Sequence, residues 1–230
     1  MNIQGFQKLT LLDYPGHTAC TLFTGGCDLR CPFCHNVPLV LDPAAEPPIP
    51  EEEIFSFLEK RKGILDGVAV TGGEPMLQKD IGSFLQKIKT MGFAVKLDTN
   101  GSHPERLEPL IKAGLVDYVA MDIKNRREKY ALTAGIPGLD IAPFEKSVSL
   151  LMTGGIEYEF RTTVIKEFHS PEDVLSIARW IQGAKHYYLQ QFRDSGILRE
   201  GSASPLEEER MHALAALCAP LVQHIGIRGI

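Results

Sequence analysis

An α/β fold, a partial TIM-like β/α barrel, is what this sequence predicts, and three observations predict it. Strand-like and helix-like segments alternate from residue 17 to the end of the 230-residue chain, which implies parallel strands joined by crossover helices. No glycine-rich dinucleotide fingerprint follows the first strand, so six or seven such repeats favour a barrel over a doubly wound nucleotide fold. The unusual polar groups gather at the C-terminal ends of successive strands, the rim on which parallel barrels build active sites. With no low-complexity tract or long linker, the chain reads as one domain over 1–230. Its core lies at about 16–195, with a C-terminal helix and strand within 205–230.

Each element has a local reason. Residues 17–24, "HTACTLFT", read as a strand rich in Thr, Leu and Phe. Residues 41–50, "LDPAAEPPIP", are a proline-rich loop. Pro50 introduces the helix "EEEIFSFLEKRKG", with acids at its positive end and Gly63 at its close. "DGVAVTGGEP" (66–75) is an apolar strand stopped by a Gly-Gly-Glu-Pro turn. "DIGSFLQKIKTMG" is an amphipathic helix with Ile81, Phe84, Leu85 and Ile88 at helical spacing, ended by Gly92. Strand "FAVKLDTNG", helix "PERLEPLIKAG" and strand "VDYVAMDIK" follow. After a polar connection (124–142) come helix "PFEKSVSLLMTGG", strand "EYEFRTTVI", helix "PEDVLSIARWIQGA" and strand "HYYLQQF". A loop at 193–205, helix "PLEEERMHALAALCA" and a short strand "VQHIGIRG" complete the chain.

Hydrophobic residues at 44% and charged residues at 23% are those of a soluble globular protein. A net charge of -5 gives no pull toward nucleic acid or anionic membrane. The N-terminus lacks a targeting pattern, and no run approaches the roughly 18 to 20 apolar residues of a membrane helix. The expected location is the cytoplasm. There, five cysteines are not a disulfide framework, and clustered ones are more often metal ligands. The Asn100-Gly101-Ser102 sequon is a chance match in that compartment.

Cys27, Cys31 and Cys34 stand as C-x3-C-x2-C within "GGCDLRCPFCHN". Thiolates select zinc or iron–sulfur clusters. A closed zinc site takes four ligands, and the only neighbour for a fourth is His35, awkwardly adjacent to Cys34. Three cysteines instead suit a 4Fe-4S cluster with one iron left open for another ligand. Cys20, inside a strand, and Cys218, in an apolar helix, read as buried small hydrophobes. "TGGEP" offers adjacent glycines for close backbone approach to a ligand and an acid to pair with an ammonium, although alone it is more often a turn.

The cysteine motif, with Phe33 directly before its last Cys, resembles that of the radical S-adenosylmethionine (SAM) superfamily, and the rim motifs extend the resemblance over essentially the whole chain. The resemblance implies a partial (β/α)6 barrel whose unique iron binds the amino and carboxylate groups of SAM. It implies cleavage of SAM to methionine and a 5′-deoxyadenosyl radical that abstracts hydrogen. The same resemblance makes Cys27, Cys31 and Cys34 the cluster ligands. Gly72, Gly73 and Glu74 would hold the SAM amino group. Asp98 and Thr99 of "DTNG", and Asp122 and Lys124 of "MDIK", match further SAM-contacting positions. Lys124 would pair with the SAM carboxylate, Asp98 and Asp122 would orient the ligand or share a monovalent cation, and Arg161 would reach the methionine part. Their alternative is a capped strand end with a solvated lysine and a surface arginine. Where some activating enzymes place a histidine, this chain has Gln191 and Arg193.

Within the superfamily, the "LLDYPG" lead-in and "CPFCHN" look most like the activating component of anaerobic ribonucleoside-triphosphate reductase. That implies hydrogen abstraction from a backbone glycine of the reductase, leaving a glycyl radical, with flavodoxin or ferredoxin as electron donor. The alternatives are activation of another glycyl-radical enzyme of the pyruvate formate-lyase type, a small-molecule radical SAM reaction, and a non-catalytic zinc or cluster module. The loops at 193–205 and 124–142 are the candidate docking surface.

Overall fold

The computed structural model describes residues 1–45, 47–193 and 203–230. Its strands are β1 (Ile3–Thr10), β2 (Ala19–Thr24), β3 (Gly67–Gly72), β4 (Ala94–Thr99), β5 (Tyr118–Asp122), β6 (Glu157–Val164), β7 (Tyr187–Gln191) and β8 (Ile225–Arg228). The α-helices are α1 (Val37–Leu41), α2 (Glu51–Lys60), α3 (Ile81–Thr90), α4 (Pro104–Lys112), α5 (Tyr130–Ala134), α6 (Ala142–Thr153), α7 (Pro171–Trp180) and α8 (Glu208–Cys218). The strands form one sheet in the order β1 to β8. The pairs β2–β3, β3–β4, β6–β7 and β7–β8 are parallel, and β1 runs antiparallel to β2. This is the α/β class that the alternation predicts.

The chain divides into two compact units. The first comprises Met1–Asp28, Pro38–Thr99 and His103–Val119. Its core sets Leu22, Val68, Val70, Val95 and Leu97 of β2 to β4 together with Ile54 and Leu58 of α2 and Phe84, Leu85 and Ile88 of α3, all buried. The acids Glu51, Glu52 and Glu53 in the first turn of α2 face its positive end.

The second unit comprises Leu29–Val37, Asn100–Ser102 and Ala120–Ile230. Phe160, Leu189 and Tyr187 of β6 and β7, with Phe144, Leu151, Val174 and Ile177 of the helices, make its core. α7 starts with a capping box: the Ser170 hydroxyl accepts from the Asp173 amide, and the Asp173 carboxylate accepts from the Ser170 amide.

Four elements lie outside the sequence-based reading. β1 precedes the predicted alternation, α1 ends where the proline-rich loop begins, and the connection at 124–142 holds a 3-10 turn (Arg127–Lys129) and α5. Most of the predicted 193–205 loop, residues 194–202, lies outside the described residues. Cys20 and Cys218 are both fully buried, as expected. Burial pushes their thiols up, to about 12 for Cys20 and about 11 for Cys218. Among the described residues no helix is long and apolar enough to cross a membrane.

Candidate active site

In the first unit, the Gly-Gly-Glu turn closes on the chain's own backbone. Gly72, the last residue of β3, has φ +116, and a Cβ there would meet the Thr24 amide nitrogen at 2.3 Å. A Cβ on Gly73 would stand 1.9 Å from the Gly26 carbonyl oxygen. The close approach is sealed by two hydrogen bonds: Gly73 N–H donates to Thr24 O and Glu74 N–H to Gly26 O, each at 2.8 Å. The sequence pairs these glycines with a ligand. The contact that demands them here is with the exit of β2, immediately ahead of Cys27. Gln78 reinforces it, donating to Gly25 O at 2.9 Å while accepting from the Asn2 amide at 3.0 Å.

Glu74 is fully buried. Its Oε1 accepts from the Met76 amide at 3.0 Å, capping the 3-10 turn Pro75–Leu77, and from the Thr99 hydroxyl at 2.8 Å. Sequence reading placed Glu74 and Thr99 at separate strand ends; the fold joins them. Asp98 is paired with Lys96, which is buried despite its charge. Lys96 escaped the sequence reading, yet a lysine two residues before an aspartate in an apolar strand puts both on one face. Beside Cys27, Asp28 pairs with His103 at 3.3 Å.

In the second unit, the rest of the cysteine loop is anchored from below. Cys34 N–H donates to Cys31 O at 3.2 Å, and Arg30 N–H donates to Ala134 O at 2.8 Å. At Gly135, φ +68, a Cβ would meet Arg30 O at 2.0 Å. The 124–142 connection therefore supports the loop. Phe33 is buried with its ring 5.7 Å from that of Phe168, and the exposed His35 sets its ring 5.4 Å from that of Phe192. Burial raises the Cys31 thiol pKa, and the Lys124 cation opposes that rise.

Asp122 joins the two predicted cations. Its Oδ1 accepts from Arg161 Nε at 2.9 Å and its Oδ2 from Lys124 Nζ at 3.0 Å. Burial works against the Asp122 charge, but Arg161 and then Lys124 outweigh it and hold the carboxyl well below the usual carboxylate range. Burial likewise works against the Lys124 charge, and Asp122 outweighs it, keeping the ammonium protonated well beyond the usual lysine range. The side chains retain 30% exposure at Asp122 and 18% at Lys124, so the pair is ringed by protein but reachable. One carboxylate thus orients two cations.

Neighbours fix this cluster. His169 Nδ1 accepts from the Ile165 amide at 3.1 Å, which sets the tautomer and lets Nε2 donate to Lys124 O at 2.8 Å. Asn125 donates to Phe168 O at 3.0 Å. Neither was anticipated, because both act through backbone far away in sequence. Gln191 and Arg193 turn to the C-terminal segment: Gln191 donates to Leu206 O, and Arg193 Nη2 to Gly229 O at 3.0 Å.

A family model described as the radical SAM superfamily matches residues 21–182. The chain belongs to the radical SAM superfamily. A protein of Methanocaldococcus jannaschii, provisionally described as a glycyl-radical enzyme activating enzyme, is 32% identical over 99% of this chain and 96% of its own length. A pyruvate formate-lyase-activating enzyme of Clostridium pasteurianum is 32% identical over 54% of the chain and 52% of the relative. Among solved structures, Streptococcus suis SuiB bound to S-adenosylmethionine superposes with a TM-score of 0.70 at 16% identity, covering 89% of this chain and 48% of SuiB. A likeness at that identity is one of fold.

A radical SAM protein implies a 4Fe-4S cluster and SAM, and the donor set fits the cluster. Cys27, Cys31 and Cys34 carry no disulfide and fall within eight consecutive residues. Among the described residues no three His, Cys, Asp or Glu side chains are grouped to hold a single metal ion. A cluster does not ask for that grouping, since it spreads its thiolates over different irons.

Proposed function

We propose that the chain is a glycyl-radical enzyme activating enzyme whose target is anaerobic ribonucleoside-triphosphate reductase. The observation that supports the activating-enzyme part is the match to the M. jannaschii relative along 99% of this chain and 96% of the relative; the reductase as target rests on the resemblance of "LLDYPG" and "CPFCHN". When bound, the cluster and SAM supply the 5′-deoxyadenosyl radical that takes a hydrogen atom from a partner's glycine. Such a glycyl radical is stabilised by delocalisation over its two flanking peptide groups.

The chain's own residues divide the remaining work. Cys27, Cys31 and Cys34 ligate the cluster, with the buried Phe33 between the last two in sequence and packed on Phe168. Glu74, held by Met76 and Thr99, presents a buried negative charge for the SAM amino group, and Gly72 and Gly73 fix its position. Lys124 and Arg161, both oriented by Asp122, offer charge-assisted donors to the SAM carboxylate. Asp98 and Asp122 each have a lysine partner, so electrostatics do not require the monovalent cation that the sequence leaves open. Flavodoxin or ferredoxin supplies the electron in the cytoplasm.

The test is anaerobic reconstitution with iron and sulfide, followed by reduction with SAM present. Methionine and 5′-deoxyadenosine should form. Mixing with the reductase should yield a glycyl doublet in electron paramagnetic resonance (EPR). A doublet on pyruvate formate-lyase and none on the reductase would move the target to the second reading, which the C. pasteurianum match supports.

A further inference from the structure

The last strand reaches into the Asp122 cluster's neighbourhood through Glu159 and Arg228. Glu159 lies two residues before Arg161 on β6, so both side chains share one face of the sheet. It is completely buried, and Arg228 of β8 grips it bidentately: Nη1 to Oε1 at 2.6 Å and Nη2 to Oε2 at 2.7 Å. The guanidinium carbon also stands 3.6 Å from the centre of the Tyr188 ring. β7 sets Tyr188 opposite Arg161 on one side and opposite Gly226 on the other. Gly226 leaves room for that ring, because a Cβ would come within 2.7 Å of it.

A buried carboxylate draws on whatever cation it can reach, because an unbalanced charge away from water is costly. Arg161 is two positions away on the same face and already serves Asp122 through Nε. Arg228 meets both Glu159 oxygens with the fork geometry that suits a carboxylate. We propose that Arg228 is a positioning residue: by balancing Glu159 it keeps Arg161 committed to Asp122, and so sets the cation pair that receives the SAM carboxylate. The inference rests on the SAM-binding role given above to Asp122, Lys124 and Arg161. It adds to that role a dependence on the C-terminal strand.

The experiment uses the reconstituted holoprotein without oxygen. SAM is titrated against the EPR spectrum of the reduced cluster, and KM for SAM and kcat are measured separately. Arg228→Gln should weaken SAM binding roughly tenfold and act on KM more than on kcat, as loss of one charge-assisted contact predicts. Glu159→Gln removes the competing charge and should bind SAM within about threefold of the wild type, the spread of a neutral change. The Glu159→Gln/Arg228→Gln double variant should recover the same range. A purely structural role would instead lower the melting temperature of the double variant and leave its SAM binding as weak as that of Arg228→Gln. That result overturns the proposal, as does wild-type affinity in Arg228→Gln. If Arg228→Gln does not fold, Glu159→Gln and the double variant decide: loss of SAM binding in either overturns it. A wild-type protein that shows no SAM-dependent spectral change at all sinks the cofactor reading instead.

Discussion

Arg30 donates its backbone N–H to the carbonyl of Ala134 at 2.8 Å, tying the middle of the cysteine loop to the end of α5. The turn that follows depends on Gly135, whose missing Cβ leaves Arg30 O its space. Gly135→Ala adds both a 2.0 Å clash and the strain of a side chain at φ +68. The expected cost is about 1 to 3 kcal/mol, together with lower iron and sulfide per chain after reconstitution. Iron content and denaturant melts check it, and wild-type values in both would show that the loop does not lean on α5.

Replacing Thr99 with Val keeps the shape and removes the hydroxyl that donates to Glu74. A buried carboxylate then loses one of its donors, at a cost of about 1 to 3 kcal/mol. Thr99→Ser should recover most of it. Urea unfolding of the three proteins measures both values, and equal instability of the Ser and Val variants would mean that packing, not the hydroxyl, matters.

Cys27→Ala, Cys31→Ala and Cys34→Ala should each abolish the cluster, because in the proposed ligation each thiolate serves a different iron. Cys20→Ala and Cys218→Ala should keep full iron content, losing about 1 kcal/mol of stability for the buried sulfur. Equal damage to the cluster from all five substitutions would refute the ligand assignment.

Acid should find Asp173. Burial opposes its charge, but bonds from Lys129 and from the Ser170 amide and hydroxyl prevail and lower its pKa below the ordinary 3.8. A carboxyl depressed in the folded state contributes stability fully above its unfolded pKa, and the contribution disappears as pH falls through the folded value. Asp173→Asn should therefore be less stable than the wild type at neutral pH, and the gap should close in acid. A constant difference from neutral pH down to pH values below the ordinary carboxyl range would exclude this source.

Much of this was legible in sequence because burial imposes periodicity. β2 through β7 and helices such as α3, α4 and α7 show their apolar spacing plainly. β1 does not: only Ile3 and Thr10 at its ends are buried, so "IQGFQKLT" shows no clean alternation. α1 and α5, five residues each, are too short to display a helical period. The site divides the same way. The cysteines and Glu74 are conspicuous by residue type. Gly135, His169 and Arg228 act on partners that the sequence sets far away, and nothing local marks them. The sequence marks Gly72 and Gly73 for close approach, and the partner backbone they meet, the β2 exit, is visible only in the fold.

That near-touch makes the turn at 72–74 and the β2 exit at 24–26 interlocking parts of one casting. Neither glycine can be exchanged for a residue with a side chain while the β2 exit stays where it is: a chimera must keep a glycine at both 72 and 73. Shuffling between family members will therefore succeed or fail by whether both glycines survive the crossover, even when every cysteine is retained.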